Sequence, residues 1–143
     1  MMKNRNIYIV AGTFYKELSS NLIQGALDSV LDDNNLTIIK VPGAFEIPGM
    51  VKQIIDIHNP DLIITLGVLI KGETAHFEYI SNAVSNSISR LTITSKIPII
   101  FGIITALNYE QAIERAHIDK KNKGAEAMLT GLKMLELYDR YKK

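Results

Sequence analysis

Four short, unbroken runs of aliphatic residues, separated by stretches of helical periodicity, restrict what this chain can fold into more than any other feature. Ile7–Ala11, Leu36–Val41, Leu62–Ile70 and Ile99–Ile104 are rich in Ile, Val and Leu, and the last three are bounded by Pro, Gly or Asn. Continuous rather than alternating hydrophobicity suits parallel strands buried on both faces. Between and after the runs come stripes at helical spacing: Leu18, Leu22, Ala26, Val30; then Ile47, Val51, Ile54, Ile55; then Phe77, Ile80, Val84, Ile88, Leu91; and finally Ala125, Met128, Leu129, Leu132, Leu135. A shorter helix is expected from Asn108, because Asn108-Tyr109-Glu110-Gln111 fits a capping box. The order β-α-β-α-β-α-β-α-α, with short connections and no low-complexity segment, predicts an α/β fold whose parallel sheet carries helices on both faces. A length of 143 residues gives one domain, 1–143, with one substantial core.

Composition removes whole classes of function. With 47% hydrophobic and 22% charged residues the chain is globular rather than disordered. A formal net charge of +1 leaves no electrostatic footprint for nucleic acid or an anionic membrane. There is no cysteine, hence no disulfide, thiolate nucleophile or Cys-ligated metal, and the three histidines are scattered. No metal is expected. Met1–Asn6 is polar and the apolar run after it stops at Gly12, too short for an export signal. Leu62–Ile70, interrupted by Thr65 and Gly67, falls well short of the ~18 residues of a membrane helix. A soluble, cytoplasmic protein is the expectation.

In open parallel sheets ligands sit beyond the carboxyl ends of the strands, so the segments after the four runs are where chemistry belongs. Gly72-Glu73-Thr74 lies between a buried strand and a helix beginning near Ala75. There Gly72 permits a tight turn, and the first-turn amides with the Thr74 hydroxyl can form an anion pocket. Glu73 can point away while its amide faces the ligand. His76 follows within one turn, and an imidazole can move protons near neutral pH. The plainer alternative is a helix start with a solvated histidine. In Pro42-Gly43-Ala44-Phe45-Glu46-Ile47-Pro48, small residues permit close approach of a ligand to the backbone, or Glu46 simply caps the next helix. Phe14 either stacks on a flat heterocycle or seals the top of the core. Arg115 offers a bidentate fork to phosphate, and Lys123 starts the last helix; singly, each also reads as a solvated surface charge. His58 and His117 read as structural or exposed, and Lys120-Lys121-Asn122-Lys123 is too small a cluster for nucleic acid.

Together these segments resemble the 6,7-dimethyl-8-ribityllumazine synthase family of riboflavin biosynthesis. The resemblance runs from Phe14 to beyond Gly124. It is carried by Val41-Pro42-Gly43-Ala44-Phe45-Glu46-Ile47-Pro48, by Leu66-Gly67 through Gly72-Glu73-Thr74-Ala75-His76-Phe77-Glu78-Tyr79, by Phe101-Gly102-Ile103 with Glu110-Gln111-Ala112-Ile113-Glu114-Arg115-Ala116, and by Asn122-Lys123-Gly124. It implies a flavodoxin-like three-layer α/β/α sandwich on a four-stranded parallel sheet. The implied reaction condenses 5-amino-6-(D-ribitylamino)uracil with 3,4-dihydroxy-2-butanone 4-phosphate, giving the lumazine, phosphate and water without a cofactor.

By the same resemblance Phe14 would stack on the pyrimidinedione, Ala44, Phe45 and Glu46 would hold the ribityl chain, and the Val68-Leu69-Ile70 backbone would read the ring's polar edge. Gly72, Glu73, Thr74 and Arg115 would grip the phosphate, and His76 would move protons. Phe101, Arg115 and Lys123 would reach in from the neighbouring subunit of a homopentamer, itself free-standing or assembled into a decamer or a sixty-subunit shell, with riboflavin synthase as a candidate partner. The sequence departs from the family at Thr13-Phe14-Tyr15, where Arg-Phe-Asn is common, at Val68 and Lys71, and at His117-Ile118-Asp119-Lys120-Lys121, where small residues are usual. These last bear on assembly. The rival readings are a riboflavin synthase of the same fold, a non-catalytic lumazine or flavin binder or shell protein, and a generic mononucleotide binder. The first uses no phosphate, and the last would need a Ser/Thr-rich nest that Gly12-Thr13 does not supply.

Overall fold

The computed structural model describes residues 4–30 and 34–142. Its elements follow the order β1 (Asn6–Gly12), α1 (Lys16–Leu27), β2 (Asn35–Val41), a 3-10 turn (Ala44–Glu46), α2 (Ile47–Ile57), β3 (Leu62–Ile70), α3 (His76–Thr94), β4 (Ile99–Ala106), α4 (Tyr109–Ala116) and α5 (Lys123–Tyr141). The four strands form one parallel sheet in the order β2-β1-β3-β4. Successive side chains leave a strand on opposite faces, so the runs of β1, β3 and β4 feed two cores at once. Edge strand β2 departs from the expected two-sided burial: only Val41 is buried and Ile38 is 37% exposed. Ile7, Ile9, Leu62, Ile64, Leu66, Ile100 and Ile104 pack beneath α1, α4 and α5. Val10, Val41, Ile63, Ile99 and Ile103 pack beneath α2 and α3. The result is a three-layer α/β/α sandwich, as the patterning predicts. Ile7, Ile9, Ile63 and Ile64 have no exposed surface, each a burial that contributes about 1.5–3 kcal/mol.

Thr65 is the one hydroxyl deep in the sheet, and it is satisfied: Oγ1 donates to the Ile100 carbonyl at 2.7 Å and accepts from the Gly102 N–H at 3.3 Å. The helix starting at Asn108 is capped as expected on one side, with Asn108 Oδ1 accepting from the Gln111 N–H at 2.8 Å. The return bond differs: Gln111 Oε1 accepts from the Leu107 N–H, at 2.8 Å, rather than from the cap residue itself.

Two helical stripes need correction. Val30 lies beyond α1, because the amides of Ser29 and Val30 turn back to the carbonyls of Ala26 and Leu27 and close the helix early. On α5 the buried face is Gly124, Ala127, Met128, Gly131 and Leu135, whereas Leu129 is 55% exposed. Small residues set that face because the helix lies close to its neighbours. A Cβ at Gly124 would collide with the Leu22 carbonyl of α1, and one at Gly131 would meet Leu62 and Ile64 of β3.

Strand order fixes where a ligand can go. The chain passes from β1 through α1 outward to β2, then crosses back through α2 past β1 to β3 and on to β4, so the winding reverses between β1 and β3. At such a reversal a crevice is expected at the carboxyl ends of the strands.

Candidate functional site

The crevice is present. A cavity of about 360 Å³ opens at that point, lined by Phe14 and Tyr15 after β1, Gly43, Ala44, Phe45 and Glu46 after β2, Val68, Leu69, Ile70, Gly72 and Thr74 at and beyond the end of β3, and His76, Phe77 and Ile80 on the first turns of α3. Most residues singled out from the sequence thus meet in one place. Glu73 sits in the same exposed loop but does not line the cavity.

The geometry decides several alternatives left open by the sequence. Phe14 does not seal the core: it is 74% exposed, and the sealing falls to Tyr15, which packs against the core below α1. Tyr15 meets Phe14 in a T-shaped contact at 4.9 Å and 82°, and most of the Phe14 ring stays exposed at the cavity rim. Glu46 does not cap α2, whose N-terminus has no side-chain cap bond. Its carboxylate instead folds back over Gly43, where Oε1 would stand 3.2 Å from an added Cβ. Exposed and without an ion-pair partner among the described residues, it faces the opening beside Phe45, itself 57% exposed. Gly72 has no positive φ, so a tight turn is not what glycine serves there. No atom stands within 4 Å of where its Cβ would be, so this stretch of backbone is open to approach.

The start of α3 supplies donors to the same opening. The His76 N–H donates to Thr74 Oγ1 at 3.2 Å, and the first helical amide bond runs from Tyr79 to Ala75 at 3.2 Å. The amides of Phe77 and Glu78 precede that bond and carry the partial positive charge of a helix N-terminus. Lys71 approaches Glu78 at 3.9 Å, tying the loop to the helix it leads into.

Three candidates lie elsewhere. Arg115, in the last turn of α4, and Lys123, at the start of α5, line a second cleft of about 370 Å³ together with Ile103, Ile104, Thr105, Lys121 and Glu126. Phe101 lines neither; it is 39% exposed on edge strand β4, on the sheet face of Ile99 and Ile103. The two clefts flank the β3–β4 pair, for Val68 and Leu69 line the first while their register partners Ile104 and Thr105 line the second. Arg115 makes a single side-chain hydrogen bond among the described residues, Nη1 donating to Gln111 Oε1 at 3.4 Å, and Lys123 Nζ lies 3.5 Å from Glu126 Oε1. Among the described residues no group of three His, Asp or Glu side chains converges as a metal site, and no helix is long and apolar enough to cross a membrane.

Sequence reasoning missed Tyr15, Phe77 and Ile80 as lining residues of the first cleft, and Ile103, Ile104, Thr105, Lys121 and Glu126 of the second. Phe77 and Ile80 were legible only as a helical stripe. Lys121 was hidden in what reads as a solvated basic run.

Comparison with known proteins agrees with this arrangement. The family model for 6,7-dimethyl-8-ribityllumazine synthase matches residues 4–139. A 6,7-dimethyl-8-ribityllumazine synthase from Leuconostoc mesenteroides subsp. mesenteroides is 39% identical over 143 residues, an alignment that covers 97% of this chain and 92% of the relative. On both counts, matched from before β1 to the last turns of α5, the chain belongs to the 6,7-dimethyl-8-ribityllumazine synthase family.

Proposed function

We propose that this enzyme of riboflavin biosynthesis, folded as one domain over 1–143, condenses 5-amino-6-(D-ribitylamino)uracil with 3,4-dihydroxy-2-butanone 4-phosphate in the cavity at the strand ends, and that each cavity is completed by the second cleft of a neighbouring subunit in a cytoplasmic homopentamer. The observation that carries the reading is the division of labour between the clefts. One holds an exposed ring, small residues, a carboxylate and an imidazole; the other holds the phosphate-type cations and few groups able to do anything else.

In this reading Phe14 stacks on the pyrimidinedione, backbone groups of Val68, Leu69 and Ile70 read its polar edge, and Ala44, Phe45 and Glu46 take the ribityl chain. The Gly72-Glu73-Thr74 backbone and the start of α3 receive the phosphate from one side, while Arg115 reaches it from the neighbour, with Lys123 and Phe101 closing the wall. The uracil's amine attacks the ketone to form an imine with loss of water, phosphate leaves, and ring closure follows with loss of a second water. Each step needs a proton moved, which His76 does. Much of the acceleration comes from holding two reactants in register.

The test is incubation of purified protein with both substrates, following lumazine absorbance against the spontaneous reaction. An enzyme-dependent rate that drops in Arg115→Ala is expected. Mixed oligomers of His76→Ala and Arg115→Ala subunits then report on sharing: random assembly restores about a quarter of the sites to full composition, so activity returns on mixing. No recovery from chains shown to co-assemble would place each site within one subunit.

A further inference from the structure

The second cleft contains a cation that the reading above does not use. We propose that Lys121 is a third phosphate-recognition residue, forming with Arg115 and Lys123 a cationic wall that sets this enzyme's affinity for its phosphate-bearing substrate; the inference rests on the phosphate reading of that cleft.

Lys121 is not on a loose tail. Its N–H donates to the Glu114 carbonyl at 3.1 Å, one residue before Arg115, and the next amide, of Asn122, donates to the His117 carbonyl at 3.1 Å. Asn122 is held in the left-handed region at φ 49°, and its Oδ1 caps α5 by accepting from the Ala125 N–H at 3.4 Å. The Asn122 side chain fills the space above Gly25 of α1 so closely that a Cβ there would overlap it. Both backbone neighbours of the Lys121 side chain are therefore tied to α4, α5 and α1, and its stem starts from a fixed point on the cleft wall.

The charges around it are unbalanced in one direction. Lys120 leans on Glu114 at 4.0 Å and Lys123 on Glu126 at 3.5 Å. Arg115 and Lys121 have no carboxylate within ion-pair distance among the described residues, and both line the cleft. Three cations against the single carboxylate of Glu126 form a concave positive surface, which favours a dianion over a neutral group and draws it in from solution. Thr105 adds a hydroxyl to the same wall. A phosphate monoester matches that set: two charges, several acceptor oxygens, and a size that fits beside three flexible or forked donors.

The experiment compares steady-state kinetics of the intact oligomer in Lys121→Gln, Lys121→Arg, Lys120→Gln and Arg115→Ala. Lys120→Gln removes the same charge from the same turn without touching the cleft. Lys121→Gln is expected to raise KM for the butanone phosphate about three- to tenfold with kcat and KM for the aminouracil little changed, Lys121→Arg to restore it, and Lys120→Gln to shift it less than about twofold. The inhibition constant of inorganic phosphate should rise in step, and the gap should close as ionic strength increases. Lys121→Gln behaving like Lys120→Gln while Arg115→Ala still raises KM would overturn the role of Lys121 and leave the phosphate reading standing. A null in both Lys121→Gln and Arg115→Ala would overturn the two together.

Discussion

The two clefts flank the same pair of strands yet are made by opposite means. The first is built at the exits of β1, β2 and β3 and at the start of α3, where the chain leaves regular structure. Its walls are backbone, small residues and aromatic rings. The second is built on regular structure, β4 and the facing ends of α4 and α5, joined by a turn that Asn122, Gly25 and Gly124 lock in place. A flat heterocycle needs an exposed ring, and Phe14 provides one. A dianion needs charges not already engaged by carboxylates, and in this cleft Arg115 and Lys121 have none within ion-pair distance among the described residues, while Lys123 leans on Glu126. Under the proposed reading the heterocycle is read by the first cleft alone and the cationic part of the phosphate grip lies in the second, so mutations should separate the two.

The largest effect is expected at the group proposed to do chemistry rather than binding. His76→Ala is expected to lower kcat by about 10²–10⁴-fold with both KM values near wild type. Residual turnover above the spontaneous rate should persist, since positioning survives. Complete loss of catalysis in a folded variant that still binds lumazine would show that positioning does little here. Next, Phe14→Ala should raise KM for the aminouracil about 5- to 100-fold, the range of a lost stacking contact, and leave KM for the butanone phosphate unchanged. Equal changes in both would erase the distinction between the clefts.

The smallest effect belongs to a contact far along the chain from either. Arg5 Nη1 and Nη2 bond Asp139 at 2.7 and 3.2 Å, with Asp61 at 3.6 Å from Nε. The guanidinium's hydrogen bonds hold the Asp139 carboxyl below its ordinary pKa. The pair's contribution is therefore present above the unfolded carboxyl's pKa and is lost as pH falls through the lower folded value. Asp139→Asn should cost about 1 kcal/mol near neutral pH, measured by denaturant unfolding, without altering either KM. Relative to that variant, wild type should lose its advantage on acidification below about pH 4. A gap independent of pH would mean packing, not charge, accounts for the loss.

How far all this was legible varies with the kind of signal. The strands announced themselves through their unbroken aliphatic runs, which burial on both faces demands of β1, β3 and β4 though not of the half-exposed edge strand β2: Leu62–Ile70 is β3 to the residue, and the other three runs grow by one or two residues at their ends. The buried face of α5 did not, since Gly124 and Gly131 carry no apolar weight and only the proximity of Leu22, Leu62 and Ile64 reveals why they must be small. At the site, residue types were readable and company was not. Nothing in Tyr15 says that it meets Phe14 in a T-shaped contact. Nothing in a run of lysines says that one pairs with Glu114 while the next faces a cleft. Those facts depend on side-chain directions set by residues distant in the chain.

The strand order also sets a schedule for synthesis. A ribosome delivers β1 first, but β1 is an inner strand, and one of its two edges stays unpaired until Leu62–Leu66 of β3 have been made. β3 in turn waits for β4, and the layer over both waits for α5, the last helix to emerge. Most of the chain must therefore leave the exit tunnel before its most apolar segments find cover, a long exposure for a sequence whose earliest strand reads Ile-Tyr-Ile-Val-Ala.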